Sequence, residues 1–262
     1  MSRIDDALAT TRAEGRAALI PYITAGYPSI AATESVLAAL PDAGADIIEV
    51  GIPYSDPIAD GPVIAGAMHQ ALEQGVTVDA AMSVIERVRS HSDVPMVAMV
   101  SQSIVHRRGG TTFLQNLADV GTDGVVIPDA DLNALDSMAD TLEALDLACA
   151  LLIAPTTPPA RMVELAQRCR GFVYLLARTG LTGTRSELPD LSERVESLRA
   201  CTTLPIAAGF GISTAEQVRQ ATESCDAAIV GSALVNFMGE SDDPVAAAVT
   251  MVESLATGIH RS

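Results

Sequence analysis

Apolar positions along the chain fall into two alternating patterns. Short continuous runs, many of them β-branched, recur as ALIPYI (18–23), DIIEVG (46–51), PMVAMV (95–100), GVVIP (124–128), CALLIA (149–154), FVYLLA (172–177), PIAAG (205–209) and AAIVG (227–231). Between them lie stretches in which apolar residues return every three or four positions, as in AATESVLAALPDAG, VDAAMSVIERVRSH and LNALDSMADTLEALDL. A run that is apolar at every position is a strand covered on both faces, whereas a 3.6-residue period is a helix with one face to the core. Eight such strands alternating with helices in 262 residues predict an α/β chain folded as one TIM (β/α)8 barrel, a single domain over residues 1–262. A doubly wound open sheet is the rival architecture, but it usually has fewer strands, and no GxGxxG follows the first strand here. Residues 2–13 precede the first strand and are expected to form an extra N-terminal helix over the barrel floor. The string AGADIIEV returns as VGTDGVVIP and SCDAAIVG: a helix end, an acidic turn, then an apolar strand, three copies of one αβ unit.

Charge and composition narrow the partners. A net charge of -17 argues against nucleic acid and anionic membrane surfaces, which need basic patches. No apolar run approaches the roughly 20 residues of a membrane-crossing helix, and the polar N-terminus lacks a signal-peptide core, so a cytoplasmic location is expected. Cys149, Cys169, Cys201 and Cys225 form no CxxC pair and read as reduced thiols. All 16 basic residues are arginine. Without lysine, a side-chain Schiff base or a pyridoxal group held as an internal aldimine is excluded in this chain. His69, His91, His106 and His260 are scattered without metal-ligand spacing, so no metal is expected.

Candidate chemistry gathers where strands end, because in a barrel the C-terminal strand ends and the loops after them form the active-site mouth. Glu49 closes an otherwise apolar second strand, where desolvation would raise its pKa and suit it to both give and take a proton. A buried ion pair with an arginine is the alternative for Glu49. Asp60 follows in the long connection 52–77, either as a second acid or as an N-cap for a helix beginning at Gly61-Pro62. A second long connection covers 178–190. RTGLTG, GFGIS and GSALV follow strands six, seven and eight, and glycines at such places either make ordinary tight turns or let main-chain N–H groups converge on a phosphate. Gly183, Gly211, Gly231 and Ser232 are the expected cradle, with Glu49 and Asp60 at the reacting end of a phosphorylated small molecule. Tyr22 and Tyr174 either line the path between them or belong to the core. With neither lysine nor an evident metal site, the carbon chemistry is general acid–base.

The strings PYITAGYPS, GADIIEVGIPYSDPIADGPVI, DGVVIPD, GFVYLLARTGLTG, LPIAAGFGIS and AIVGSALV resemble the tryptophan synthase alpha subunit family over about residues 17 to 238. The resemblance implies retro-aldol cleavage of indole-3-glycerol phosphate to indole and glyceraldehyde 3-phosphate, a lyase step of tryptophan biosynthesis. It implies that Glu49 is the acid–base residue and that Asp60 takes the indole N–H. It also implies that Tyr174 is the active-site tyrosine, that Phe210 and Tyr22 flank the indole, and that Gly183, Gly211, Gly231 and Ser232 hold the phosphate. The implied partner is a beta subunit that carries pyridoxal phosphate and consumes the indole in an αββα complex, meeting the 53–60 loop at Asp56 and Pro57. Val100, Gln102 and Asp131 depart from the family pattern near the pocket or the partner face. A stand-alone lyase releasing free indole, another phosphate-ester enzyme on the same barrel, and a non-catalytic activator of a beta subunit remain as alternatives.

Overall fold

In the computed structural model, which describes residues 2–57, 60–177, 189–209 and 211–259, the apolar runs are parallel strands around one axis. In chain order they are β1 (Ala18–Thr24), β2 (Ile48–Gly51), β3 (Met96–Met99), β4 (Gly124–Val126), β5 (Ala148–Ala150), β6 (Leu152–Ile153), β7 (Val173–Leu176), β8 (Ile206–Gly209) and β9 (Ala227–Val230). Hydrogen bonding runs β5-β4-β3-β2-β1-β9-β8-β7-β6. The nine segments are the eight expected strands, with the fifth divided at Leu151. Its lower half, β5, pairs with β4, and its upper half, β6, pairs with β7. The two ends of the hydrogen-bonded series thus belong to one continuous stretch of chain. This is a barrel rather than an open sheet.

Alternation along the strands sorts the side chains into two cores. Ile20 and Tyr22 of β1, Val97 and Met99 of β3, Tyr174 of β7 and Ile229 of β9 are buried together in the inner cluster. Leu19, Ile23, Ile48, Val50, Ala98 and Val125 point the other way and pack in the outer cluster with the helices. The amphipathic pattern of α4 (Val78–Arg89) explains its place in that layer, where Val84 and Val88 are buried, and Val36 and Leu37 of the largely apolar α2 (Ile30–Ala39) bury in the same cluster.

The N-terminal segment forms α1 (Arg3–Ala13), closed by a capping box between Ser2 and Asp5. Its Ile4 is wholly buried and enters the inner core beneath Gly124 and Gly171, plugging the floor. The three acidic turns share one geometry on that rim. Asp46 donates its N–H to the Leu19 carbonyl and accepts the Leu19 N–H on its carboxylate. Asp123 does the same with Met96, and Asp226 with Ile206. Arginines complete each turn: Arg16 grips Asp46 with two bonds of 2.7 and 2.8 Å. Arg89 and Arg3 hold Asp123 at 2.6 and 3.0 Å, and Arg199 and Arg12 hold Asp226. Two of these cations come from α1, so the floor helix is tied to the strands it covers.

Candidate active site

Glu49 lies in β2 between Tyr22 on β1 and Val97 on β3, and its alternation with buried Ile47 aims it inward. It is 2% exposed, and neither carboxylate oxygen has a hydrogen-bond partner among the described residues. Among the described residues no arginine pairs with it. Burial, reinforced by the charge of Asp60, pushes the carboxyl up to about 8. Such a group is protonated at neutral pH, and once it has given the proton away it is a base matched to take one back.

Asp60 stands just ahead of α3 (Pro62–Glu73). Gly61 occupies the N-cap position and Pro62 opens the helix, and no side chain caps it. Asp60 is therefore not the cap. Its Oδ2 instead accepts a hydrogen bond of 2.8 Å from the Tyr54 hydroxyl. Burial raises the Asp60 carboxyl, the Tyr54 bond opposes that, and the charge of Asp129 adds to it. Neither Tyr54 nor Asp129 is singled out by the strand pattern. Tyr54 was visible only as the aromatic between Pro53 and Ser55, and Asp129 only as a carboxylate just past a strand end, whereas Glu49, expected to close the second strand, lies within β2 with Val50 and Gly51 after it. Asp129 joins two rim loops, accepting from the Ser101 hydroxyl at 3.0 Å and from the Gln102 N–H at 2.7 Å.

The two tyrosines are buried, inward-facing walls. Tyr22 is 3% and Tyr174 6% exposed, and burial raises both phenols well above their ordinary value, with Glu49 and Asp60 adding to the shift. Their rings lean across to the neighbouring strand over a glycine. A Cβ on Gly51 would meet the Tyr22 hydroxyl at 2.0 Å, and one on Gly209 would meet the Tyr174 ring at 2.6 Å.

Gly231 and Ser232 lie on the same rim, at the end of β9 and the start of α11 (Ser232–Gly239). Gly231 is the N-cap and no side chain closes the cap, so the first-turn N–H groups remain for another acceptor. Strand register sets the span. Pro21 pairs with Val230 and Tyr22 with Glu49, which puts Gly231 and Glu49 on either side of Tyr22. Two strand spacings correspond to roughly 10 Å, the reach of a small phosphorylated molecule. Gly211 follows β8 on that rim with φ +84°, a conformation that favours glycine. Gly183 and Phe210 lie outside the described residues, as does most of the 178–190 loop.

Of the residues that depart from the family pattern, Val100 is fully buried in the outer core. Asp131 caps α7 (Leu132–Ala144), accepting the N–H groups of Asn133 and Ala134. Gln102 begins α5 (Gln102–Arg107), and its side-chain carbonyl oxygen is buried with no partner among the described residues. Cys149, Cys169, Cys201 and Cys225 are free thiols, and no helix among the described residues is long and apolar enough to cross a membrane.

Comparison with known proteins bears on this arrangement. The family model described as tryptophan synthase alpha chain matches residues 8–261. The tryptophan synthase alpha chain of Thermosynechococcus vestitus is 40% identical over 259 residues, covering 98% of this chain and 97% of its own length. That of Thermoanaerobacter sp. is 40% identical over 236 residues, 90% of each chain. A Mycobacterium tuberculosis tryptophan synthase structure superposes with a TM-score of 0.91 at 34% identity, covering 100% of this chain and 99% of that one. The Legionella pneumophila tryptophan synthase subunit alpha gives 0.90 at 32% identity, with coverage of 99% and 98%.

Proposed function

The chain belongs to the tryptophan synthase alpha chain family, and from that premise we propose that Glu49 and Asp60 carry out the cleavage of indole-3-glycerol phosphate. Glu49 enters the reaction protonated and delivers its proton to the ring carbon that bears the glycerol chain. The ring becomes an electron-poor iminium, and Asp60 holds its N–H, where positive charge accumulates. The carboxylate left on Glu49 then takes the proton of the adjacent chain hydroxyl. The carbon–carbon bond breaks, its electrons return to the ring, and indole and glyceraldehyde 3-phosphate separate. Glu49 ends the cycle with the proton it started with, so no external acid, base or oxidant is consumed. Tyr22 and Tyr174 wall the ring, with Phe210 expected beside it. The phosphate is held by the main chain at Gly211, Gly231 and Ser232, together with Gly183.

The observation that carries this reading is a buried carboxyl, without a hydrogen-bond partner among the described residues and pushed up to about 8, on the same rim as an uncapped helix start. A structural carboxylate in such a place would have been paired. Glu49→Gln should lower indole release from indole-3-glycerol phosphate by at least about a thousandfold with an unchanged circular dichroism spectrum. Turnover within a few-fold of the parent enzyme would remove Glu49 from the chemistry.

The chain works without a cofactor of its own in the cytoplasm, as one barrel unit, and passes indole to a beta subunit that holds pyridoxal phosphate. The loop bearing Asp56 and Pro57 is the contact expected for that subunit. Indole release by the isolated chain, repeated with the beta subunit present, separates this arrangement from a stand-alone lyase: strong activation supports the complex, and full activity alone supports the lyase.

A further inference from the structure

Asp60 presents a geometric problem. It sits on a loop rather than a strand, yet an acid that receives one ring N–H must be aimed well. Its backbone has a turn contact, with the Asp60 N–H donating to the Pro57 carbonyl at 3.1 Å. The only side chain that grips its carboxylate among the described residues is Tyr54, at 2.8 Å. Tyr54 is well placed to aim it. Pro53 precedes it and Gly51 and Ile52 continue directly from β2, so its main chain is an extension of the barrel wall. Its ring packs against the inner cluster that holds Tyr22, Tyr174 and Ile64. The phenol is therefore anchored at both ends, by a short tether to the strand and by packing of the ring.

We propose that Tyr54 is the positioning residue for Asp60: its hydroxyl occupies Oδ2, which leaves Oδ1 to receive the N–H of the substrate's ring. This rests on the role of Asp60 proposed above. The bond fixes two things together. It sets the plane of the carboxylate, so that the second oxygen has one direction to face. It also favours the ionised form of an acid that burial and Asp129 push toward neutrality. A protonated Asp60 could offer the ring a second donor where an acceptor is needed. Asp129 and Asp56 are the other charged groups that act on Tyr54, and both oppose its ionisation, so the phenol stays a donor.

The test is Tyr54→Phe in the full chain, which keeps the ring and its packing and removes only the hydroxyl. The lyase kcat/KM should fall by roughly tenfold, the usual worth of one hydrogen bond to a charged group. Binding of an indole-bearing phosphate analogue should weaken with it. Binding of the same analogue methylated at the ring nitrogen, and of glycerol 3-phosphate, should change by less than about twofold, because neither presents an N–H to Asp60. The acid limb of the kcat/KM profile should move to higher pH, a readout that a loss of packing would not produce. In an Asp60→Asn background the Tyr54→Phe change should have almost no further effect. Equal losses for the N–H and N-methyl analogues, an unmoved acid limb, or additive losses in the double variant would overturn the proposal. If Asp60→Asn alone leaves cleavage intact, the failure lies with the role given to Asp60; if it does not, the outcome of Tyr54→Phe judges Tyr54 itself.

Discussion

Replacing Glu49 with glutamine should make the protein more stable while removing its chemistry, and the gain should depend on pH in a defined way. The buried carboxyl is pushed from 4.5 up to about 8. Between those values the unfolded chain has lost the Glu49 proton and the folded protein keeps it, so folding takes up a proton and stability falls as pH rises. The contribution is fully favourable below about pH 4.5 and is lost by about pH 8, above which both states are ionised. Each pH unit in that window is worth about 1.36 kcal/mol, which comes to about 3 kcal/mol at pH 7 and about 5 kcal/mol at pH 8 and above. Glutamine has the same shape and no proton to lose. Its amide, like the carboxyl, finds no partner among the described residues, and that cost, about 1–3 kcal/mol, does not vary with pH. The decisive quantity is therefore the difference between variant and parent as a function of pH. Urea unfolding measured at about pH 5, 7 and 8.5 should show the variant gaining about 4 kcal/mol on the parent across that range. Subtraction also removes the pH dependence of the other carboxylates, which the two proteins share. A gap that stays constant within about 1 kcal/mol would mean that Glu49 ionises normally in the folded state, and the acid–base assignment would lose its physical basis.

The same raised carboxyl predicts the activity profile. Because Glu49 must be protonated to begin the reaction, the kcat/KM of the parent enzyme should decline above about pH 8, and that alkaline limb should mark the titration of the free enzyme. A profile flat through pH 9 would contradict it. Gly211→Val should weaken glycerol 3-phosphate binding by at least about tenfold, since it adds bulk beside the proposed phosphate position and strains a backbone at φ +84°; isothermal titration with unchanged affinity would remove this loop from the phosphate site. Asp123→Ala should cost about 3 kcal/mol of stability by urea titration. It strands half-buried Arg89 and frees the Met96 N–H at the floor, yet kcat should not change, because the residue lies on the rim opposite the chemistry. A large loss of kcat in the folded variant would show that the two rims are coupled.

Much of the fold was legible because the strands are almost wholly apolar, and short runs of that kind set between helical periods fit strands buried on both faces. Ile47 and Glu49 were also informative as a pair, since alternation alone sends a residue two places from a buried isoleucine to the same side. The division of the fifth strand was not legible. CALLIA is uniformly apolar, and nothing in it distinguishes Leu151, where pairing passes from β4 to β7, from its neighbours. Asp60 was ambiguous for a similar reason: an aspartate before Gly-Pro fits a cap or a catalyst equally well, and the placement of Gly61 at the cap removes the first of these readings. Tyr54 could not have been found from spacing, since its meaning depends on a loop that brings it back to Asp60. The repeated acidic turns were recognisable as a motif, but their purpose was not, because each closes on an arginine far away in sequence, such as Arg3 with Asp123.

The tilted rings of Tyr22 and Tyr174 have a consequence for how this cavity can evolve. Its width is governed by two missing methyl groups, at Gly51 and Gly209, that no survey of functional groups would record. Alanine at either position would displace an entire phenol rather than trim the hollow slightly, because the added carbon would occupy the space where the ring now rests. Adaptation to a larger or smaller ligand is thereby steered away from these two strands and toward the loops above them, where a side chain can change without evicting its neighbour.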